Sequence, residues 1–368
     1  MSLTVGLFYN FKPDVVPKDV APDFFAEFDS QKTVDSIAAA LEAAGHKVVR
    51  FEAVPKTIFS RLDDIRELDL AFNIAEGVFG ESRESHIPAI LEMLRVPYTG
   101  SGIMSLALNL DKAMTKRVLD HHKIPTPRFW VFNSVSEIPK IERMPFPLIV
   151  KPIREGSSKG VHNESIVHDI RELKAQVERI NTSYAQEAIV EEFLTGREFT
   201  IALLGNDPPT ALPIVEILFD KMPKGAAPAY SYELKWIWDV PENPLKLFTC
   251  PARLSAALKK KLQDTAIAAF NATECRDWCR IDLRFDAANQ TPHVLELNPL
   301  PGIIPDPNAN SCFPEAARAA GMTYDEIVNA VVLIAMKRYG NKKFQEELGR
   351  PYYKKLSKKL GEVNAAKK

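Results

Sequence analysis

The chain has 368 residues, with 47 Lys or Arg against 48 Asp or Glu and a formal net charge of −1. That length suffices for two or three domains with a substantial core, and the balanced charge removes any global electrostatic case for nucleic acid or an anionic membrane as partner. Cys250, Cys275, Cys279 and Cys312 are too few and too scattered for a disulfide framework, and the spacing of Cys275 and Cys279 does not suit a zinc knuckle. A reduced, cytoplasmic setting is therefore expected. No apolar run of spanning length and no signal-peptide pattern occurs, so a soluble protein is expected.

Residues 3–9 form a short apolar run that reads as a buried parallel strand. After a loop rich in Pro and Asp, Asp29 or Ser30 offers a helix N-cap, and Val34, Ile37, Ala38 and Leu41 follow at helical spacing as far as Gly45. Residues 47–54 and 68–74 read as strands and 87–94 as a helix. This alternation predicts an α/β layer with a mostly parallel sheet over residues 1–103, ending after the turn-like YTGSG. A second block, 104–190, opens with a helix carrying Asp111, Lys112 and Lys116 and breaks at 124–127. It continues with strands at 129–132 and 147–150, the latter running into Lys151 and Pro152. A third block spans 191–340, and 341–368 is a basic tail. After Met336 the chain carries eleven Lys or Arg against three Glu, a composition that predicts a solvated, partly frayed helix.

The third block contains RIDLRFD at 280–286 and HVLELNP at 293–299. Strand side chains alternate faces, so Arg280 shares a face with Asp282, and Glu296 with Asn298. A hairpin closing about Asn289 sets Asp282 opposite Glu296 and Arg280 opposite Asn298. Two carboxylates and one amide oxygen on one face suit Mg²⁺, which takes its remaining ligands from water and phosphate; a solvated sheet face is the alternative.

The segment KPIREGSSKGV, 151–161, follows a strand and is rich in small residues. Backbone N–H groups at Gly156, Ser157, Ser158 and Gly160 are candidates to approach phosphate oxygens, although the pattern is neither a Walker A sequence nor GxGxxG, and a Gly-Ser hairpin fits it equally. Lys151 closes an apolar strand, a costly place for an ammonium without an anion, and phosphate is the expected anion. Glu191, Glu192 and Glu198 follow another apolar run. Backbone there can meet a purine edge while a carboxylate takes ribose hydroxyls; solvated acids are the alternative. YSYELKW, 230–236, precedes a Pro-rich stretch at 239–244 and reads as a lid over substrate or as a surface hairpin. Pro301, Gly302 and the NSCFP segment at 310–314 bracket a loop. In it Ser311 sits at a helix start that favours a carboxylate or phosphate, or is a plain cap.

In this order the segments resemble the ATP-grasp ligases, and within them the D-alanine–D-alanine ligases. The resemblance runs from about residue 76 to 320 through YTGSG with Asp111 and Lys112, VKPIREGSSKGV, EEFLTGREFT, YELKW with CPA, RIDLRFD, and LELNPLPGI with NSCFP. It implies an N-terminal parallel-sheet domain followed by two α+β lobes that sandwich ATP. It further implies a carboxylate–amine ligase that works through an acyl phosphate on amino acids or short peptides, with two Mg²⁺ ions (or Mn²⁺), as a homodimer. By resemblance Lys112, Lys151 and Lys235 meet the ATP phosphates, Glu191 and Glu198 the adenosine end, and Glu155 and Ser158 also bind the nucleotide. Asp282, Glu296 and Asn298 hold metal. Arg280 stabilises the tetrahedral intermediate, Ser157 lies near the first substrate, and Gly302 and Ser311 bind the second. The departures lie where amino acids bind. Glu27 is the candidate for the first substrate's ammonium, Glu76 replaces a His-Gly pattern, and Trp236 stands where the family carries Tyr, leaving a serine–tyrosine–glutamate network incomplete. A non-catalytic ATP-binding module and an ATP-grasp kinase are the competing readings.

Overall fold

A computed structural model describes residues 2–13, 21, 23–140, 144–239, 245–286, 288–309 and 311–365. Asn310 and most of the Pro-rich stretch, 240–244, lie outside the described residues.

Three sheets follow one another along the chain. In the first, β1 (Thr4–Tyr9), β2 (Lys47–Glu52) and β3 (Leu70–Asn73) run parallel in the order β2-β1-β3. Alternation decides which side chains go where. Val5, Leu7 and Tyr9 enter one core, while Phe8 packs into the core on the other face with Phe51 and Ala71. Helix α1 (Gln31–Ala43) starts at Ser30, whose hydroxyl accepts from Thr33 N at 3.2 Å, and ends before Gly45 at φ +89°. The crossover from β2 to β3 holds two short helices absent from the sequence reading, α2 (Pro55–Ser60) and α3 (Leu62–Arg66), before α4 (His86–Met93). Each buries a single residue, Ile58 or Ile65, too little for a visible period.

The expected single helix carrying Asp111, Lys112 and Lys116 is instead two, α5 (Ile103–Leu110) and α6 (Lys112–His121). Asp111 separates them: its backbone is extended, and its carboxylate accepts from Met114 N at 2.9 Å as an N-cap. The second sheet orders β4 (Phe129–Phe132), β5 (Leu148–Pro152), β6 (Ile166–Val167) and β7 (Ala188–Glu192) as β4-β7-β5-β6, all antiparallel, with α7 (Ile170–Ser183) on its back.

The third sheet comprises β8 (Glu198–Leu204), β9 (Thr210–Ala211), β10 (Val215–Ile217), β11 (Phe248–Thr249), β12 (Trp278–Asp286) and β13 (Thr291–Asn298). Its path is β11-β10-β8-β12-β13, with β9 on β8. Helix α8 (Ala256–Ala272) covers it through Leu262, Ala266, Ala269 and Phe270.

Helix α9 (Cys312–Ala319) and α10 (Tyr324–Tyr339) follow; every residue from Ile327 to Met336 in α10 is buried, and its Asn329 Nδ2 donates to Ala40 O at 2.8 Å. No single described helix is long and apolar enough to cross a membrane. The tail departs from the frayed helix expected of it. It forms α11 (Lys342–Leu348) and α12 (Pro351–Ala365), which set Phe344, Tyr353 and Leu356 into the core shared by β1, α1 and α10. The lysines face outward, while Tyr353, Leu356, Leu360 and Val363 recur at helical spacing on the packed side.

Candidate active site

The β12–β13 pairing sets Arg280 opposite Asn298 and Asp282 opposite Glu296, and the register shifts just after Asp282. On the other side β8 places Thr200 beside Asp282 and donates its hydroxyl at 2.6 Å. Asp282 Oδ2 also accepts from Arg280 Nη2 and from Asn298 Nδ2, each at 3.2 Å. Asn298 Nδ2 reaches Arg280 O at 3.4 Å as well, and its amide oxygen has no hydrogen-bond partner among the described residues. Glu296 faces Lys112 at 3.6 Å. Desolvation opposes ionisation of Glu296, yet Lys112 and then Arg280 hold its carboxyl below the usual range. Two carboxylates with a spare amide oxygen fit a hard divalent cation.

Cations crowd the same cleft. Lys235 makes no ion pair among the described residues and is pushed down to about 8 by desolvation and by neighbouring Arg280. Arg280 Nε is buried without a partner. Both groups retain donors that an anion in the cleft would satisfy.

Lys151 Nζ lies 2.9 Å from Glu191 Oε2, and Lys116 stands 3.2 Å from the other oxygen. Burial would raise the Glu191 carboxyl, but Lys116 and Lys151 bring it down to about 2. Glu191 is thus a buried counter-ion to both lysines, and it lines the cleft. Glu198 is also engaged, with Arg284 Nη1 at 2.9 Å; desolvation nonetheless outweighs that pair and raises its carboxyl. Arg284 ties this region together through Gly196 O and Pro228 O.

The 156–160 loop differs in detail from the phosphate cradle expected. Gly156 N donates to Glu27 Oε1 at 2.6 Å and Gly160 N to Asp23 Oδ2 at 2.8 Å, so these two amides are occupied. The amides of Ser157 and Ser158 bond to no described residue, and both residues hold left-handed conformations at φ +50° and +61°. Such strain in non-glycine residues clusters at functional loops. Ser158 Oγ donates to Tyr230 O at 2.8 Å, which joins this loop to the 230–236 segment.

Trp236 closes that junction. Its indole N–H donates to Ser157 O at 3.1 Å, and Lys12 and Lys235 lie over the ring at 5.2 and 5.3 Å. Trp236 thus reaches the backbone of Ser157, and no hydrogen bond joins it to Glu27 among the described residues.

Besides Gly156 N, Glu27 accepts from Arg83 Nη2 and Lys159 Nζ, both at 3.0 Å. Glu155 pairs with the same two cations, and its backbone oxygen accepts from Lys112 Nζ. Ser311 is no plain cap: its hydroxyl donates to Gly302 O at 3.0 Å and accepts from Ile304 N at 3.1 Å, fixing the loop that carries Gly302.

All the residues expected at the site line one cleft of about 330 Å³, Glu76 included. Sequence reasoning missed Thr200, Arg83 and Glu84; Arg83 and Glu84 sit in a three-residue turn, Arg83–Ser85, whose sequence carries no recognisable pattern.

A parallel N-terminal sheet, two antiparallel sheets facing a cleft, and a carboxylate–amide–guanidinium face define an ATP-grasp enzyme. Residues 119–333 match the family model described as D-ala D-ala ligase C-terminus. The chain is 35% identical to the D-alanine–D-alanine ligase of Bordetella avium, over 79% of this chain and 87% of that one. It is 37% identical to the uncharacterized protein y4sG of Sinorhizobium fredii, over 84% and 88%. The crystal structure of a Bacillus anthracis D-alanine–D-alanine ligase complexed with ATP shares the fold at a TM-score of 0.66 and 22% identity, covering 94% of this chain and all of that one. The chain belongs to the D-alanine–D-alanine ligase family and is an ATP-dependent, ADP-forming ligase.

Proposed function

We propose that the protein joins the carboxylate of one amino acid to the amine of another. A carboxylate oxygen attacks the γ-phosphorus of ATP and expels ADP, leaving an acyl phosphate. The amine attacks the acyl carbon, the tetrahedral intermediate expels inorganic phosphate, and the nitrogen loses a proton. The observation that carries this reading is the single face holding Arg280, Asp282, Glu296 and Asn298 beside the unpaired Lys235.

In this reading Lys235 and Lys112 meet the γ-phosphoryl oxygens, whose charge spreads in the transition state. Asp282, Glu296 and Asn298 hold two Mg²⁺ ions. Bound there, Mg²⁺ neutralises phosphate charge and orients the transferred group. Arg280 turns its unpartnered Nε toward the oxyanion that forms at the acyl carbon. The free amides of Ser157 and Ser158 face the first substrate's acyl phosphate or the ATP phosphates. Trp236, by clamping Ser157, holds that loop closed over the reactive intermediate and excludes water. Ser311 and Gly302 form the floor for the second amino acid's carboxylate.

The relatives named as D-alanine–D-alanine ligases make D-alanine the first substrate to try. The test is phosphate release with ATP and Mg²⁺ by wild type and Arg280→Ala. Release that depends on amino acid and collapses in the variant supports the reading; a fully active variant overturns the role of Arg280.

A further inference from the structure

The cleft is lined by ten carboxylates, and seven of them stand in ion pairs with lysine or arginine. The three without one are Asp29, Glu76 and Glu84, and none of their side chains makes a hydrogen bond among the described residues. Glu84 is only 8% exposed, a nine-tenths-buried carboxyl on the cleft wall with nothing to bond. Such a group costs stability unless a ligand answers it.

The fold holds these three together. Asn10, at the end of β1, accepts from Gly77 N at 2.9 Å through its side chain and from Asp29 N at 2.8 Å through its backbone. One residue thus fixes both the Glu76 turn and the Asp29 segment. Gly77 adopts φ +74°, and a Cβ there would meet Arg83 O at 2.4 Å, so the Glu76 turn packs directly against the turn bearing Glu84. Burial, followed by the mutual repulsion of Glu84 and Glu76, raises the Glu76 carboxyl well above its usual range. Burial raises Glu84 to about 8 and Asp29 to about 7.

Arg83 and Lys112 favour the ionised form of Glu84 from a distance, and Arg83 that of Glu76, but the cations nearby make their ion pairs and ring contacts with other residues. Arg83 and Lys159 serve Glu27 and Glu155, Lys112 faces Glu296, and Lys12 lies over the Trp236 ring. Glu27 itself already accepts three donors and has no need of an ammonium. A neutral amino acid brings one ammonium for three carboxyls that burial keeps partly protonated, and a cation beside them favours their ionised forms. A substrate with a second cationic centre matches the pocket better, because each added charge-assisted bond replaces an unmet acceptor.

Building on the ligase reading, we propose that the carboxylate substrate is a basic amino acid, with a diamino or guanidino side chain, whose cationic groups are received by Asp29, Glu76 and Glu84. The α-carboxylate of such a substrate points toward Arg280 and Lys235, and its cationic end toward β1 and the Arg83–Ser85 turn.

The test is calorimetric binding of ornithine, lysine and arginine, in both chiralities, against the neutral isosteres norvaline and norleucine. Titrations use Mg²⁺ and a non-hydrolysable ATP analogue. The inference expects at least one basic amino acid to bind about tenfold or more tighter than its isostere, the margin of one hydrogen bond to a charged group. Glu84→Gln and Glu76→Gln should each collapse that ratio, and a ratio within one variant is insensitive to its overall stability. Equal or tighter binding of the isosteres to wild type overturns the inference without any variant. Phosphate release separates the two readings. Turnover with neutral amino acids in preference to basic ones leaves the ligase reading standing and this inference refuted. Selective binding of a basic amino acid with no turnover against any acceptor amine leaves this inference standing and the ligase reading refuted.

Discussion

Replacing Glu27 by glutamine separates a structural tie from a substrate ligand. The carboxylate is 4% exposed and accepts from Gly156 N at 2.6 Å and from Arg83 and Lys159 at 3.0 Å. Burial opposes its ionisation, but Lys159 and Arg83 hold its pKa well below the usual carboxylate range. Removing one partner of a buried pair costs about 3–5 kcal/mol. Glu155 still pairs with both cations, so a loss of about 2–3 kcal/mol is expected. Urea unfolding at pH 7 reads this as a lower midpoint with an unchanged slope. The linkage sign is that of a depressed acid. Wild type holds this contribution above the unfolded carboxyl pKa, about 4.3, and loses it as pH falls below that, whereas the variant lacks it throughout. Because Glu27 anchors the 156–160 loop, KM for ATP and for amino acid should rise together. A stability change below about 0.5 kcal/mol with a rise confined to the amino acid KM would refute the tie and restore Glu27 as an ammonium ligand.

Arg280→Ala should lower kcat at saturating ATP by about a hundredfold or more, the cost of one oxyanion donor; turnover within twofold of wild type sinks that role. Lys235 loses its proton near pH 8 in the free enzyme, and an ammonium is needed to meet phosphate. Its kcat/KM for ATP should therefore fall as pH rises through about 8, and Lys235→Arg should move the fall upward; an identical profile in the variant contradicts the assignment. Tyr353→Phe removes the hydroxyl that bridges His46 Nε2 at 2.5 Å and Asn329 Oδ1 at 3.2 Å, and should cost about 1–2 kcal/mol in urea unfolding. Ending the chain at Gly340 should expose the core that Phe344, Tyr353 and Leu356 now fill, and an unchanged Tm would mean the tail is dispensable.

Local periodicity carried far where a segment's own neighbours decide its state. The β12–β13 register was legible because period-two alternation and one hairpin leave little freedom for Asp282 and Glu296. What failed depended on partners distant in sequence. The ion pairs of Glu191 with Lys116 and with Lys151 join separate elements, so no local pattern announces them. The amides of Gly156 and Gly160 were open in sequence and proved taken by Glu27 and Asp23, each more than a hundred residues away. The tail was misread because its lysines dominate composition while only one side of α12 carries Tyr353, Leu356 and Leu360. Asp111 was seen as part of a helix rather than the cap that divides two, since Asp serves in either place until the backbone is known.

The most direct test incubates the protein with ATP, Mg²⁺ and pairwise pools of D- and L-amino acids, basic ones included, and follows phosphate release alongside product mass. Phosphate released in step with a product whose mass is that of two amino acids less one water is the predicted result, lost in Asp282→Asn. A product that retains the phosphoryl group, or ATP bound with no product from any pool, contradicts the account.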